Sequence, residues 1–170
     1  MQDSSSCVWS SVPQRAWFAT LAFGCFGVVA MGMALQHMLN LAPCPLCIFQ
    51  RLLYLLVGAV AMLAFLAPVL QLPAAGLVGL LALLGFGVSV WQSWMQAYPH
   101  LAPTCNFTDP NLIERLVYWL GSEFPDWFLA TGLCTSREWE LFGLSMANWS
   151  VFLFAGIFAY ALLLTHCGKR

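Results

Sequence analysis

The stretch PCPLCIFQR, residues 43–51, separates two long apolar runs and opens the second of them. It places Cys44 and Cys47 three positions apart and puts Arg51 four positions after the second cysteine. Arg51 is the only Asp, Glu, Lys or Arg among residues 16–108. Two thiols at this spacing can close to a disulfide, bind a metal ion or exchange electrons with another dithiol. The stretch therefore predicts a chemical site, and its surroundings decide among these uses.

The composition around this stretch is that of a membrane protein. Of the 170 residues, 61% are hydrophobic and only 8% are charged, with a mean hydropathy of +0.81. Soluble domains carry about 25% charged residues. The net charge of −1 provides no basic surface for nucleic acid. We therefore predict an integral membrane protein and, at this length, a single membrane domain over residues 1–170.

Four apolar runs are long enough to cross a bilayer as helices, at 1.5 Å per residue across about 30 Å of hydrocarbon. They cover residues 16–36, 47–66, 74–94 and 149–165. Pro68 and Pro73 bracket the short connection between the second and third runs, which predicts an antiparallel hairpin. The first run lacks a clear small-residue cleavage site and is interpreted as a retained span. The predicted fold is all-α, a four-transmembrane-helix bundle.

Two water-side loops, residues 37–46 and 99–140, fall on the same side of such a bundle. The longer loop holds most of the charged residues, and apolar side chains recur at helical spacing over residues 112–120. This pattern predicts a short amphipathic helix, either on the bilayer surface or packed on other loop residues. Basic residues near both ends of the chain favour cytoplasmic termini, which puts both loops in the opposite compartment.

This topology sorts the seven cysteines by compartment. Those on the loop side are Cys44, Cys47, Cys105 and Cys134. Thiols outside the cytoplasm are usually oxidised, and the simplest arrangement pairs the first two with each other and the last two with each other. A disulfide across two intervening residues closes a very small ring and stabilises little, which favours redox exchange, while a zinc ion held by four thiolates is the alternative. The others, interpreted as inert thiols, are Cys7, Cys25 and Cys167.

Cys47 is the better candidate for the reactive thiol of its pair. If the second span starts near Pro45, Cys47 lies in its first turn, where the helix dipole and unpaired N–H groups stabilise a thiolate. Arg51 follows on the same helix face and adds a positive charge. A snorkelling anchor is the structural alternative for Arg51. A charge beside reactive groups at a membrane boundary instead favours a functional role.

Together these features resemble the disulfide-bond formation protein B (DsbB) family, bacterial inner-membrane thiol:quinone oxidoreductases. The resemblance covers residues 16–160 and rests on the four spans and on CPLCIFQR at the head of the second. Its other motifs are Tyr98-Pro99 before Cys105, and Cys134 ahead of Trp139, Phe142-Gly143-Leu144 and Trp149.

The resemblance implies an electron relay through both cysteine pairs. Cys105 and Cys134 would form the disulfide that reacts with a DsbA-like periplasmic protein of the thioredoxin fold, and Cys105 would form the mixed disulfide. Cys44 and Cys47 would receive the electrons, and Cys47 would pass them to a membrane quinone, either ubiquinone or menaquinone. Arg51 would lie beside the quinone ring and polarise a carbonyl oxygen.

Two positions near the end of the third span complete the expected site. Many family members carry a histidine where this chain has Gln92. A glutamine can donate a hydrogen bond but cannot exchange a proton near neutral pH, so we expect it to bind quinone without relaying protons. Met95, one turn later, matches a position that lines the family's quinone pocket. No metal is expected.

Two alternatives remain open at this point. A vitamin K epoxide reductase-like protein also places a C-x-x-C pair beside quinone in a four-helix bundle, but there the pair follows a late helix. A tetraspan structural protein would use its loop disulfides only as braces, and two N-x-S/T tripeptides, at residues 106–108 and 148–150, suit a glycosylated protein of that kind. That second alternative leaves Arg51 unexplained.

Overall fold

The computed structural model describes residues 13–101, 110–137 and 139–167. Its long helices are α1 (Gln14–Leu39), α2 (Pro45–Leu66), α3 (Gln71–Ala97) and α6 (Met146–Cys167). The shorter elements are a 3-10 turn at Pro68–Leu70, α4 (Leu112–Glu123), α5 (Pro125–Phe128), β1 (Glu140–Leu141) and β2 (Leu144–Ser145). Within this part of the chain, four helices are long and apolar enough to cross a membrane. The predicted all-α, four-span fold is confirmed.

Helix α1 runs further than its apolar pattern predicts. It continues past Gln36 and His37 to Leu39 and ends where Asn40 adopts the left-handed conformation, with φ of 50°. The N–H groups of Asn40 and Leu41 both donate to the Gln36 carbonyl and close the last turn. Polar side chains at the end of a span therefore do not stop this helix, and the left-handed residue does.

Helix α3 also starts earlier than the predicted residue 74. Its first residue is Gln71, and Pro73 lies within its first turn. The first N–H groups of a helix have no partner inside the helix, so the N–H that proline lacks costs no hydrogen bond there.

The membrane helices pack in the order α1, α2, α3, α6, each against the next. Gly85 lets α3 and α6 approach closely, because a Cβ at this position would collide with the ring of Phe154. Phe154 in turn stacks on Tyr54 of α2, with ring centroids 4.3 Å apart and an interplanar angle of 10°. Helices α1 and α6 border the remaining side of the bundle, where a cavity lies.

Helix α4 is the predicted amphipathic helix of the long loop, and it has two different faces. Val117 is fully buried in the same hydrophobic cluster as the middle of α2. Glu114 is also buried, and its Oε2 accepts the Asn111 N–H at 2.8 Å, which caps the start of the helix. Leu112 and Trp119 are exposed on other faces. The helix therefore packs on the bundle and still presents apolar side chains outward.

A two-stranded hairpin that the sequence did not predict precedes α6. Strands β1 and β2 pair antiparallel around a two-residue turn in which Phe142 and Gly143 have φ of 56° and 76°. A phenylalanine at positive φ gives no turn signal in the sequence. The hairpin ends at Ser145, whose Oγ accepts the Asn148 N–H at 3.4 Å. This contact caps α6 and starts it at Met146, before the predicted residue 149.

Candidate active site

The C-x-x-C pair lies at the start of α2, as its sequence predicted. Cys44 is the N-cap residue, Pro45 occupies the first helical position, and Cys47 is in the first turn. The Cys47 N–H donates to Cys44 Sγ at 3.3 Å, and Cys44 Sγ donates to Cys47 Sγ at 2.9 Å. A proline at this position is already in helical conformation and needs no N–H partner. The local sequence therefore brings both sulfurs together at a helix N-terminus.

Gln92 of α3 holds the dithiol, and Gln50 of α2 holds the Gln92 amide. Gln92 Nε2 donates to Cys47 Sγ at 3.0 Å and to Cys44 Sγ at 3.2 Å. Gln50 Nε2 donates to Gln92 Oε1 at 2.7 Å. Gln50 is 4% exposed and Gln92 is 1% exposed, so these bonds are shielded from water. In the structure Gln92 thus contacts the cysteines.

The loop after α5 is fixed against the turn that precedes α2. The backbone N–H groups of Thr131 and Gly132 both donate to the Pro43 carbonyl at 3.0 Å. Gly132 fits there because a Cβ would collide with the Ala42 carbonyl oxygen. Cys134, which follows in the same loop, is 1% exposed.

Cys134 joins the first pair to form a cluster of three sulfurs. It packs with Cys44, Leu46 and Met95, and it hydrogen-bonds to Cys44. The pKa of the Cys44 thiol is raised well above its ordinary value, first by the hydrogen bond with Cys134, then by the one with Cys47 and then by burial. Cys44 is therefore held as a thiol between two other sulfurs.

A polar contact on α3 fixes the far side of the Cys134 loop. Gln96 Nε2 donates to the Ser136 carbonyl at 3.1 Å, and Ser145 Oγ donates to Gln96 Oε1 at 2.6 Å. One buried glutamine therefore links α3, the loop that carries Cys134 and the start of α6.

Arg51 is held in place by two acceptors from other parts of the chain. Its Nη2 donates to Gln36 Oε1 of α1 at 2.7 Å, and its Nη1 donates to the Trp127 carbonyl of α5 at 2.8 Å. No carboxylate pairs with it in the described part of the chain, where the one salt bridge joins Arg137 to Glu140. The positive charge of Arg51 is thus positioned without being neutralised.

A cavity of about 440 Å³ opens beside Cys47 and Arg51. Residues of α1, of the turn before α2, of α2, of the loop after Gly132 and of α6 form its wall, and most of them are apolar. Its polar groups include Gln36, Gln50 and Arg51. Small-molecule sites in proteins have this size and this mixture of apolar wall and few polar groups.

The structure places the sequence-predicted site residues in two groups. Cys44, Cys47 and Arg51 border the cavity, while Cys134 and Gln92 contact the sulfurs. Met95 is 2% exposed and packs against the sulfur cluster, and it is not among the residues that line the cavity. Cys105 and Cys7 lie outside the described residues, as does the side chain of Cys167, and Cys25 is buried within α1.

Sequence reasoning missed two glutamines that hold site residues in place, Gln36 beside Arg51 and Gln50 beside Gln92. Gln36 and Gln50 are polar residues inside otherwise apolar helices, and a polar residue within a membrane span is a signal that could have found them. The carbonyl groups of Pro43 and Trp127 gave no signal, because any residue type supplies a carbonyl.

Comparison with known proteins identifies relatives along nearly the whole chain. The family model "Disulfide bond formation protein DsbB" matches residues 14–164. A Disulfide bond formation protein B from Dechloromonas aromatica (strain RCB) is 66% identical over 157 residues, which is 92% of this chain and 95% of the relative. Proteins of the same name from Azoarcus sp. (strain BH72) and Polaromonas sp. (strain JS666 / ATCC BAA-500) are 36% and 35% identical, each over 92% of this chain and over 95% and 92% of their own lengths.

These matches decide against a vitamin K epoxide reductase-like protein and against a tetraspan structural protein, the two alternatives considered from the sequence. The relatives point to the same family as two features of the structure. These are the four membrane helices and the cysteine pair at the start of the second one. The chain belongs to the DsbB family, and it is a multi-pass membrane oxidoreductase of disulfide bond formation.

Proposed function

We propose that this protein oxidises the dithiol of a DsbA-like periplasmic protein of the thioredoxin fold and passes the two electrons to a membrane quinone. The observation that carries the proposal is the hydrogen-bonded row of sulfurs from Cys134 through Cys44 to Cys47, which ends at a cavity beside Arg51. The net reaction converts one dithiol and one quinone to one disulfide and one quinol, so two electrons and two protons are transferred.

The first steps are thiol–disulfide exchanges. The partner's thiolate attacks Cys105 of a Cys105–Cys134 disulfide, and the sulfur of Cys134 leaves. Once released, Cys134 is already in contact with Cys44, the sulfur that it must attack to open a Cys44–Cys47 disulfide. Cys47 is then the leaving group, in the first turn of α2 and beside the Gln92 amide. The helix N-terminus favours its departure as a thiolate.

The resulting Cys44–Cys134 disulfide is resolved by the second thiol of the entering pair. Cys105, freed when the partner closes its own disulfide, attacks Cys134 and restores the Cys105–Cys134 disulfide. Cys44 leaves and takes up the proton that the Cys105 thiol gives up, and the hydrogen bonds that raise the pKa of Cys44 then keep it protonated. The pair at the head of α2 then holds both electrons.

The cavity suits a quinone headgroup. Its apolar wall from α1 and α6 suits a flat ring and an isoprenoid tail, and Arg51 supplies a hydrogen-bond donor for a carbonyl oxygen. When bound there, a quinone accepts two electrons and two protons. Gln36 and the Trp127 carbonyl hold the guanidinium of Arg51 so that its charge favours the thiolate of Cys47 on the same helix face.

The sidedness follows from the same relay. A periplasmic partner requires the Cys44–Cys47 turn and the loop that holds Cys105 and Cys134 to face the periplasm of a bacterial inner membrane, with both termini cytoplasmic. The basic residues near the two ends of the chain support this orientation.

Purified full-length protein in detergent tests the proposal. We expect that mixing it with a reduced thioredoxin-fold dithiol oxidase and ubiquinone-1 or a short-chain menaquinone consumes quinone, measured by its ultraviolet absorbance, and yields one partner disulfide per quinol. Cys47→Ser should abolish quinone consumption, because the thiol that passes the electrons to the quinone in this relay is lost.

The matched control is Cys25→Ala, which removes a cysteine buried within α1 that takes no part in the relay. It should keep the parent rate. Quinone consumption at an undiminished rate by Cys47→Ser would contradict the proposed relay.

A further inference from the structure

Gln92 and Gln50 form a chain of amides that ends on both sulfurs of the C-x-x-C pair. Gln50 Nε2 donates to Gln92 Oε1 at 2.7 Å, and Gln92 Nε2 donates to Cys47 and Cys44 Sγ at 3.0 and 3.2 Å. An amide has a donor end and an acceptor end. Once Gln50 occupies the acceptor end of Gln92, only the donor end is left to face the sulfurs.

The two hydrogens of the Gln92 amide match what the reduced pair needs. A thiolate is an acceptor without a hydrogen, and hydrogen bonds to a charged acceptor are stronger than those between neutral groups. The site is shielded from water, which strengthens such bonds further. Because an amide keeps its hydrogens throughout the physiological pH range, this donation does not depend on a titrating side chain.

We propose that Gln50 and Gln92 are positioning residues that set the redox balance of the Cys44–Cys47 pair, Gln92 by donating to both sulfurs and Gln50 by fixing the direction of the Gln92 amide. Stabilising the thiolate of the reduced pair makes the disulfide easier to reduce and so a better acceptor of electrons. The inference deepens the proposed function, but its test requires neither quinone nor the partner.

The direction of the amide can be reversed by changing Gln50 alone. In Gln50→Glu, compared with the parent at a pH high enough to ionise the new carboxyl, the carboxylate can only accept, so Gln92 should turn its NH₂ group toward residue 50 and its oxygen toward the sulfurs. The sulfurs then lose both donors although Gln92 is retained. Gln92→Met removes the donors directly with an unbranched side chain of similar length, and Gln92→Leu serves as a second deletion if the methionine variant folds poorly.

The measurement is the equilibrium of the pair with reduced and oxidised glutathione, followed by counting maleimide-reactive thiols. The parent and every variant carry Cys105→Ser and Cys134→Ser in the full-length chain, so that only the Cys44–Cys47 pair is titrated. We expect the equilibrium constant for reduction to fall about tenfold or more in Gln92→Met and in Gln50→Glu, as loss of a hydrogen bond to a charged group implies. A tenfold change corresponds to about 30 mV for this two-electron couple.

The double variant separates orientation from packing. If both residues act through one amide, Gln50→Glu combined with Gln92→Met should show no further fall in the equilibrium constant beyond that of Gln92→Met alone.

The rate of alkylation by iodoacetamide at pH 7 should fall in the same variants, because fewer molecules carry a thiolate.

Ser89→Ala is the matched control. Ser89 is a fully buried polar residue of the same helix whose Oγ donates to the Gly85 carbonyl at 2.8 Å, away from the sulfurs. It should leave the equilibrium constant unchanged.

An unchanged constant in both Gln92 variants would overturn the proposal, and so would an unchanged constant in Gln50→Glu when Gln92→Met shifts it. A parent protein that shows the glutathione equilibrium and these shifts but does not reduce quinone would refute the proposed function and leave this inference standing.

Discussion

At the scale of single residues, Cys44 is distinguished from Cys47 by its partners. Cys44 is the N-cap of α2, is 3% exposed and hydrogen-bonds to both Cys134 and Cys47. These contacts stabilise its thiol form. Cys47 instead lies in the first turn of the helix, where its Sγ accepts from Cys44 Sγ and from the Gln92 amide. The two cysteines of one motif therefore suit different roles, exchange with Cys134 for Cys44 and electron delivery for Cys47.

The contact with Cys134 predicts a change in the titration of Cys44. Because that hydrogen bond raises the pKa of Cys44, replacing Cys134 by alanine should lower it and increase the thiolate fraction at a given pH. We expect the pH midpoint of Cys44 alkylation, mapped by mass spectrometry on reduced protein, to move down in Cys105→Ser/Cys134→Ala relative to Cys105→Ser. If Cys134→Ala only made Cys44 more accessible to the alkylating reagent, the alkylation rate would rise at every pH and its midpoint would not move. That result would argue against the hydrogen bond.

The residues of the site were predictable to different degrees. The four cysteines and Arg51 stand out because thiols and a lone charge are conspicuous in an apolar sequence. The direction in which Gln92 faces could not be deduced, since it depends on Gln50, which lies 42 positions earlier in the chain. Met95 could be placed at the end of the third span, but its packing against Cys134 depends on the folded loop.

At the scale of structural elements, the loop that carries Cys134 is fixed by backbone hydrogen bonds to the Pro43 carbonyl. Gly132→Ala should displace this loop, because the added Cβ would collide with the Ala42 carbonyl oxygen. We expect electron transfer from Cys134 to Cys44 to slow about tenfold or more, since an ångström-scale misplacement of reacting groups is costly. Rapid mixing of the oxidised protein with the reduced partner, without quinone, measures that rate.

Thr131→Ala is the matched control for this loop, because it removes an exposed side chain and keeps the N–H that donates to Pro43. Its transfer rate should stay close to that of the parent. Quinone reduction by chemically reduced Gly132→Ala should also be unchanged. Slowing of that second reaction would mean that the substitution disturbs the bundle as a whole.

The elements themselves were predictable where one pattern dominates. The four spans follow from apolar runs longer than a bilayer requires, and α4 follows from helical spacing over residues 112–120. Their ends depend on local geometry such as the left-handed Asn40, and the hairpin depends on a positive φ at Phe142. The approach of the Cys134 loop to Cys44 rests on two backbone bonds, which leave no pattern in the sequence.

At the scale of the whole molecule, the bundle separates two tasks. The sulfur cluster joins the loop after α5 to the head of α2, and the cavity lies beside it between α1 and α6. The packing order α1, α2, α3, α6 leaves this side of the bundle for a ligand. Both cysteines of the C-x-x-C pair belong to both regions, as the proposed relay from a water-side loop to a membrane quinone requires.

The cavity can be filled without touching the sulfurs. Gly32 lines it, and a Cβ at Gly32 meets no atom within 4 Å, so Gly32→Leu should fold and occupy the space of a bound ring. We expect the KM for quinone to rise roughly tenfold, as lost contacts in an apolar pocket imply, while reduction of the cysteines by the partner in the absence of quinone keeps its rate. Gly27→Leu is the matched control on α1, since it also has open space around its Cβ but does not line this cavity. Equal effects of the two substitutions on KM would place the quinone elsewhere.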